Sequence, residues 1–146
     1  MKIKIREMKN EDAAVIASLE KECFSSPWSE KDLIGTLESG NSIFLVAESG
    51  EDIAGYVGMT YAADEGEITD IAVFPAMRGC GVASLLLNSL FEKGRERDLV
   101  SIFLDVRPSN APAIALYEKT GFLLCGNRRH FYTMPVEDAL IYRRDI

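Results

Sequence analysis

The spacing of apolar residues changes several times along this chain, and each change marks an element. Residues 2 to 7 alternate apolar and charged positions, as a strand with one buried face does. From Asn10 the spacing lengthens. Ala13, Ile16, Ala17 and Leu19 recur at helical intervals, with Asn10 as the expected cap, acidic residues at 11 and 12, and Glu20 turned outward. A second helix is expected from 29 to about 38. Three strands follow at 42 to 48, 52 to 63 and 66 to 74, joined by the turn signals Ser49-Gly50-Glu51-Asp52 and Asp64-Glu65-Gly66. Val82, Leu85, Leu86 and Leu90 then define a long helix from about 81 to 97. A strand at 100 to 106, a helix at 110 to 120 and strands at about 122 to 133 and 138 to 145 complete the chain. The order β-αα-βββ-α-β-α-ββ predicts a mixed α/β fold. With no repeat, low-complexity segment or linker, residues 1 to 146 are expected to form a single domain.

Composition narrows the function. The 146 residues are 47% apolar, enough to fill a core. No apolar run approaches the roughly 20 residues needed to span a bilayer, and Met-Lys-Ile-Lys-Ile at the start lacks the apolar stretch of a signal peptide. Three cysteines without paired spacing and a single histidine predict no disulfide, no metal and a reducing, cytoplasmic setting. A net charge of −7 disfavours nucleic acid and membrane surfaces and suits a cationic partner.

The segment Ile71-Ala-Val-Phe-Pro-Ala-Met-Arg-Gly-Cys-Gly-Val-Ala-Ser-Leu-Leu-Leu87 reads strand, glycine turn, helix. A helix leaves its first N–H groups unpaired and favours an anion there, and glycines let that anion approach. Arg78, Gly79, Cys80, Gly81, Val82, Ala83 and Ser84 are therefore read as a cradle for a pyrophosphate. It is not a P-loop, since no lysine follows Gly81. Nor is it a dinucleotide fingerprint, since position 84 is Ser. A second segment, 104 to 122, reads strand, turn, helix, stop. Asn110 is its expected cap, Pro112 lies in the first turn and Gly121 ends the helix.

Arg78-x-x-Gly81-x-Ala83 resembles the Arg/Gln-x-x-Gly-x-Gly/Ala signature of the GNAT acyltransferases. The later segment resembles their Arg-x-x-Asn-x-x-Ala-x-x-Leu-Tyr-x-x-x-Gly-Phe motif at every named position. Phe24-Ser-Ser-Pro-Trp-Ser29, Glu67-Ile-Thr-Asp-Ile-Ala-Val73, Arg128-Arg-His-Phe-Tyr132 and Glu137-Asp-Ala139 are similar to the bacterial ribosomal-protein-alanine N-acetyltransferases. The resemblance spans about residues 3 to 143. It implies a GNAT fold, with a mostly antiparallel sheet, two splayed parallel strands and helices on both faces. It also implies acetyl-CoA as co-substrate. The acceptor would be a protein N-terminal α-amine, with a basic ribosomal protein bearing N-terminal alanine as the specific expectation. A small-amine acetyltransferase and a catalytically silent acetyl-CoA-binding module remain open as alternatives.

By the same resemblance, the N–H groups of Ile71, Ala72 and Val73 would meet the pantetheine, Asn110 would contact the cofactor, and Tyr117 would protonate the departing thiolate. Asp105 is the candidate base. The relatives carry Glu there, and Asp is one methylene, roughly 1.5 Å, shorter. Strand alternation puts Asp105 with Phe103 and Arg107, so a plain ion pair with Arg107 is the structural alternative. Glu67 is the rival carboxylate, and the two could share the work through water. Trp28 and Tyr132 are candidate substrate contacts. Arg128 and Arg129 are read as a solvated turn. No Cys–His or Ser–His pair is visible, which favours direct transfer in a ternary complex.

Overall fold

The computed structural model describes residues 2–146. Its elements are β1 (Ile3–Glu7), α1 (Ala13–Cys23), α2 (Glu30–Glu38), β2 (Ser42–Ser49), β3 (Asp52–Ala62), β4 (Glu65–Val73), α3 (Val82–Glu96), β5 (Ser101–Val106), α4 (Ala111–Lys119), β6 (Leu123–Thr133) and β7 (Val136–Asp145). This is the mixed α/β order the periodicities predict. Among the described residues no helix is long and apolar enough to cross a membrane.

The helix starts show how local chemistry sets boundaries. Ser29 caps α2 by accepting the Asp32 N–H at 3.1 Å. Asn110 caps α4 by accepting the Ala113 N–H at 3.3 Å. Asn10, in contrast, is not a cap. Residues Asn10–Asp12 form a 3-10 turn and α1 opens at Ala13. The carboxylate of Asp12 accepts the Lys9 N–H at 2.8 Å and both terminal nitrogens of Arg6 at 2.8 and 2.9 Å. A buried carboxylate gripped by an arginine of β1 outweighs an exposed amide as the organiser of this turn.

The seven strands lie in the order β1-β2-β3-β4-β5-β7-β6. Only β4 and β5 are parallel neighbours; every other pair is antiparallel. Helices α1 and α2 cover one face over Phe44, Val46, Tyr56 and Ala72. Helix α3 and the Tyr117–Phe122 end of α4 cover the other, over Leu45, Val57, Met59 and Ile102.

Two irregularities matter for function. First, β4 and β5 pair only from Glu65↔Ser101 to Glu67↔Phe103, then part. Second, the β3–β4 register jumps. Met59 opposes Ile68, but Gly58 opposes Asp70, so Thr69 is an extra residue in a bulge. The bulge breaks the alternation. Ile68, Ile71 and Val73 pack on the α3 side, whereas Ala72 packs on the α1 side, together with Asp70 against Glu20. Gly58 makes this possible. A Cβ there would lie 2.7 Å from the Phe44 ring and 2.7 Å from the Thr69 hydroxyl.

Replacement of Gly58 by Ala is expected to destabilise the chain by about 1–3 kcal/mol, the range for overpacking a filled site. Gly35→Ala, where a Cβ meets nothing within 4 Å, should not destabilise. Urea unfolding of the two variants checks the contrast.

Candidate active site

The glycine turn has the conformation its sequence requires. Gly79 and Gly81 have φ of +79° and +78°, and an added Cβ at either would meet nothing within 4 Å. The turn's outer surface is therefore bare backbone. Gly81 precedes α3 directly, and no side chain caps the helix. Exposed N–H groups, an uncapped helix dipole and space beside them suit a phosphate-sized anion. The Arg78 side chain is occupied elsewhere. Its Nε donates to the Val73 carbonyl at 3.0 Å and one terminal nitrogen to Cys23 Sγ at 3.4 Å. Cys80 is exposed on the turn.

Beside this turn, bordered by Arg78 and Ala83 on either side of the glycines, a cleft of about 560 Å³ runs between the parted strands. Ile71, Ala72 and Val73 line it from β4, Asp105 from β5 and Arg107 from just beyond it, and Asn110, Ala113 and Tyr117 from the start and body of α4. Tyr117 is 7% exposed, and its ring lies edge-on to Phe122 at 5.7 Å. Burial, then the charges of Asp70 and Tyr132, push the Tyr117 phenol well above its ordinary range, so it stays protonated. Tyr132 reaches the cleft from β6 under the Arg107 guanidinium, 4.3 Å from its ring centroid, and burial lifts its phenol to about 12. Arg107 also donates to the Pro135 carbonyl at 2.8 Å and to Glu137 at 3.1 Å, and Glu137 accepts the Ser109 N–H at 2.9 Å. The β5–α4 turn is thus tied to the β6–β7 hairpin.

Asp105 borders a second cavity of about 500 Å³, shared with Asp64, Glu65, Glu67, Tyr61 and Arg128. Asp105 and Glu67 therefore do meet one space, and Asp105 alone of the two also borders the cleft. The partner of Asp105 is Arg128 at 3.3 Å, not Arg107. Arg128 lies on β6 and not in a turn; a register shift between Arg128 and Tyr132 distorts the strand beside it. Trp28 is elsewhere. It packs on Phe44 at 6.2 Å and borders a separate cavity with Pro27, Lys31 and Thr36. Trp28 and Tyr132 are not brought together.

The largest departure from expectation is Glu20. It does not turn outward; it is fully buried. Its carboxylate accepts the Tyr56 hydroxyl at 2.6 Å and the Trp28 N–H at 2.9 Å. Asp70, placed on this face by the bulge, lies against it and also lines the cleft. Burial, reinforced by Glu20, holds the Asp70 carboxyl far above the usual carboxylate range. Asp70 therefore holds its proton at neutral pH. Helical periodicity could not find this pair, because one member looks like a surface charge and the other is displaced by a bulge. The one available signal was an acid, Glu20, directly after Leu19 on the apolar face of α1.

Parted parallel strands beside a glycine-turn helix start define a class. Residues 13–122 match the Acetyltransferase (GNAT) family, and the chain belongs to it; it is an N-acetyltransferase. It is 34% identical over 125 residues to a ribosomal protein bS18-alanine N-acetyltransferase of Salmonella typhimurium, covering 84% of each chain. It is also 32% identical over 139 residues to that of Escherichia coli, covering 94% of this chain and 93% of the other. The crystal structure of the Escherichia coli ribosomal-protein-S18-alanine N-acetyltransferase superposes with a TM-score of 0.89 over 99% of this chain and 94% of that one, at 29% identity. Ard1 of Thermoplasma volcanium shares the fold at a TM-score of 0.90, covering 100% of this chain and 99% of that one, with 23% identity.

The raised Asp70 carboxyl makes a stability prediction. Folded Asp70 holds a proton through a range where the unfolded chain, with a carboxyl pKa of about 3.9, has lost it. Its contribution is complete below that value and is lost progressively as pH rises from there to the folded pKa of about 9. Asp70→Asn should remove this decline and raise Tm at neutral pH by about 3 °C or more, on the scale of 1 kcal/mol in a domain of this size. Thermal unfolding of both proteins across pH checks it.

Proposed function

We propose that the chain transfers the acetyl group of acetyl-CoA to the N-terminal α-amine of a protein in the cytoplasm, with a ribosomal protein bearing N-terminal alanine as acceptor. The observation that carries this reading is the position of Asp105, at the junction of a cleft that reaches Arg78 and Ala83 beside the glycine turn and a cavity rich in acids. One space suits a phosphate-bearing thioester and the other a cationic chain end. The relatives named for bS18-alanine acetylation supply the particular acceptor. A net charge of −7 suits a basic ribosomal partner.

Acetyl-CoA supplies an acyl carbon activated as a thioester. The open backbone at Gly79 and Gly81 fits its pyrophosphate, which the N–H groups of residues 79 to 84 would hold. The free edge of β4 at Ile71, Ala72 and Val73 would hold the pantetheine and, through its N–H groups, polarise the acyl carbonyl. Asn110 lies at the cleft wall for a further polar contact. An α-ammonium has a pKa of about 8, so roughly a tenth is neutral at pH 7 and modest help suffices. Asp105 takes a proton from the attacking nitrogen, and Glu67 supports it through water across their common cavity. The buried phenol of Tyr117 donates to the departing sulfur. Tyr132, fixed by Arg107, contacts the acceptor. Trp28, in its separate cavity, takes no part in this assignment. Both substrates are bound together, and attack is direct.

Gly81→Asp places a side chain and a negative charge at the cradle, and aspartate tolerates left-handed backbone better than most residues. It should weaken acetyl-CoA binding by about tenfold or more with the fold intact. Calorimetric titration with acetyl-CoA decides this, and unchanged affinity rejects the cradle. Tyr117→Phe keeps the Phe122 contact and removes the donor. A loss in kcat of about 10²-fold is expected, with cofactor affinity unchanged. Retention of more than half the activity would show a packing role only.

A further inference from the structure

We propose that Arg128 holds the acceptor's place on Asp105 and leaves it only in exchange for another cation, so that it selects acceptors that arrive as ammonium ions. This rests on the reading above of an acetyltransferase of α-amines in which Asp105 meets the attacking nitrogen.

The cavity beside Asp105 carries charge of almost one sign. Asp64, Glu65, Glu67 and Asp105 line it, and Arg128 is the one cationic side chain among the described residues that does so. Arg97 is engaged with Tyr61, donating to its hydroxyl at 2.6 Å. Arg107, two residues beyond Asp105, is held by the Met134 and Pro135 carbonyls, Glu137 and the Tyr132 ring. Arg128 borders this cavity and not the cleft, whereas Asp105 borders both. An acceptor that enters through the acidic cavity therefore meets Arg128 at Asp105.

The arginine reaches that place from two strands away. Strand β7 lies between, with Ala139 opposite Arg128 and Ile141 opposite Asp105. The side chain makes a single bond to the carboxylate, Nε to Oδ1 at 3.3 Å. Charged pairs of this kind usually close to about 2.7–2.9 Å. The other arginine–aspartate pair on this sheet, Arg6 with Asp12, has two bonds at 2.8 and 2.9 Å. The Arg128 side chain is 54% exposed and that of Asp105 only 15%. Phe131 offers a second seat, its ring centroid 5.9 Å from the guanidinium carbon. A long, single contact from a half-exposed cation is readily broken. To break it without replacement is costly, because a largely buried carboxylate is left unpaired. An α-ammonium meets that condition. It takes over the Asp105 oxygen as the guanidinium swings onto Phe131 and into solvent, and the count of paired charges is unchanged. A hydroxyl end of the same shape brings no charge, and its entry would separate Arg128 from Asp105 with nothing in return. The protein's own arginine thus acts as a filter for charge at the acceptor seat.

Removal of the resident cation should favour the acceptor. In Arg128→Gln the KM for an Ala-initiated peptide is expected to fall about two- to fivefold, the scale of one partly exposed ion pair, with kcat within about twofold of the unaltered enzyme. Arg129→Gln makes the same change in net charge one residue along the strand and should leave KM unchanged. An unchanged or raised KM in Arg128→Gln overturns the exchange. So does a larger loss of kcat, which would make Arg128 a brace for Asp105. An equal fall of KM in Arg129→Gln would assign the gain to net charge and overturns it too. A second measurement does not use turnover. The Arg128 Nε–H resonance, assigned by its absence in Arg128→Gln, should move to the position of a free guanidinium when the Ala-initiated peptide is added with CoA. It should stay in place with the same peptide acetylated at its N-terminus. Movement with both peptides, or with neither, would sink the proposal. If the unaltered protein acetylates no α-amine peptide, the function assigned above fails and the exchange falls with it. Turnover with an unchanged KM in Arg128→Gln removes the exchange alone.

Discussion

Two parallel strands that pair over three residues and then separate determine everything else in this molecule. A sheet normally satisfies every interior N–H and C=O, and to open one is costly unless something else fills the gap. Here β3 keeps the far side of β4 paired, β7 keeps the far side of β5 paired, and the gap itself becomes a polar slot. Arg78 takes the Val73 carbonyl at the open end. The remaining edge of β4 is free to pair with an extended ligand.

The acids divide around this slot by environment. Asp105 has an arginine partner and access to both cavities, and Glu67 is solvated. Asp70 and Glu20 have no cationic partner among the described residues, and burial holds the Asp70 carboxyl far above the usual carboxylate range. Identical functional groups within one small region are thus set to different tasks by desolvation and partners rather than by chemistry. The bulge at Thr69 is the device that brings Asp70 into its position. It also leaves the Thr69 hydroxyl buried without a hydrogen-bond partner, a local penalty at a functional site.

Much of this was legible in the chain. Ser29 and Asn110 announced their helices, and Gly79 and Gly81 announced a turn that only positive φ permits. Tyr117 and Asp105 both line the cleft. What stayed hidden depended on distant parts of the chain. Glu20 is a charged residue in an amphipathic helix, and the Trp28 N–H and the tyrosine hydroxyl 36 positions later make its burial tolerable. Asp70 follows a bulge that no alternation rule anticipates, since the evidence for it is the crowding at Gly58 on the neighbouring strand. Arg128 meets Asp105 only because β6 and β7 fold back beside β5. Asn10 lost its capping role to an arginine–aspartate pair that spans two elements.

Arg78 links the glycine turn to the end of α1, and its significance is entropic. Glycines give a chain segment its greatest freedom, and a ligand that must first order such a segment binds more weakly for it. A guanidinium fixed at once to the Val73 carbonyl and to the Cys23 sulfur pins the turn against two rigid elements that are not part of it. The glycine turn is therefore held in place before any ligand binds, and an anion seated there would lose less binding energy to ordering it.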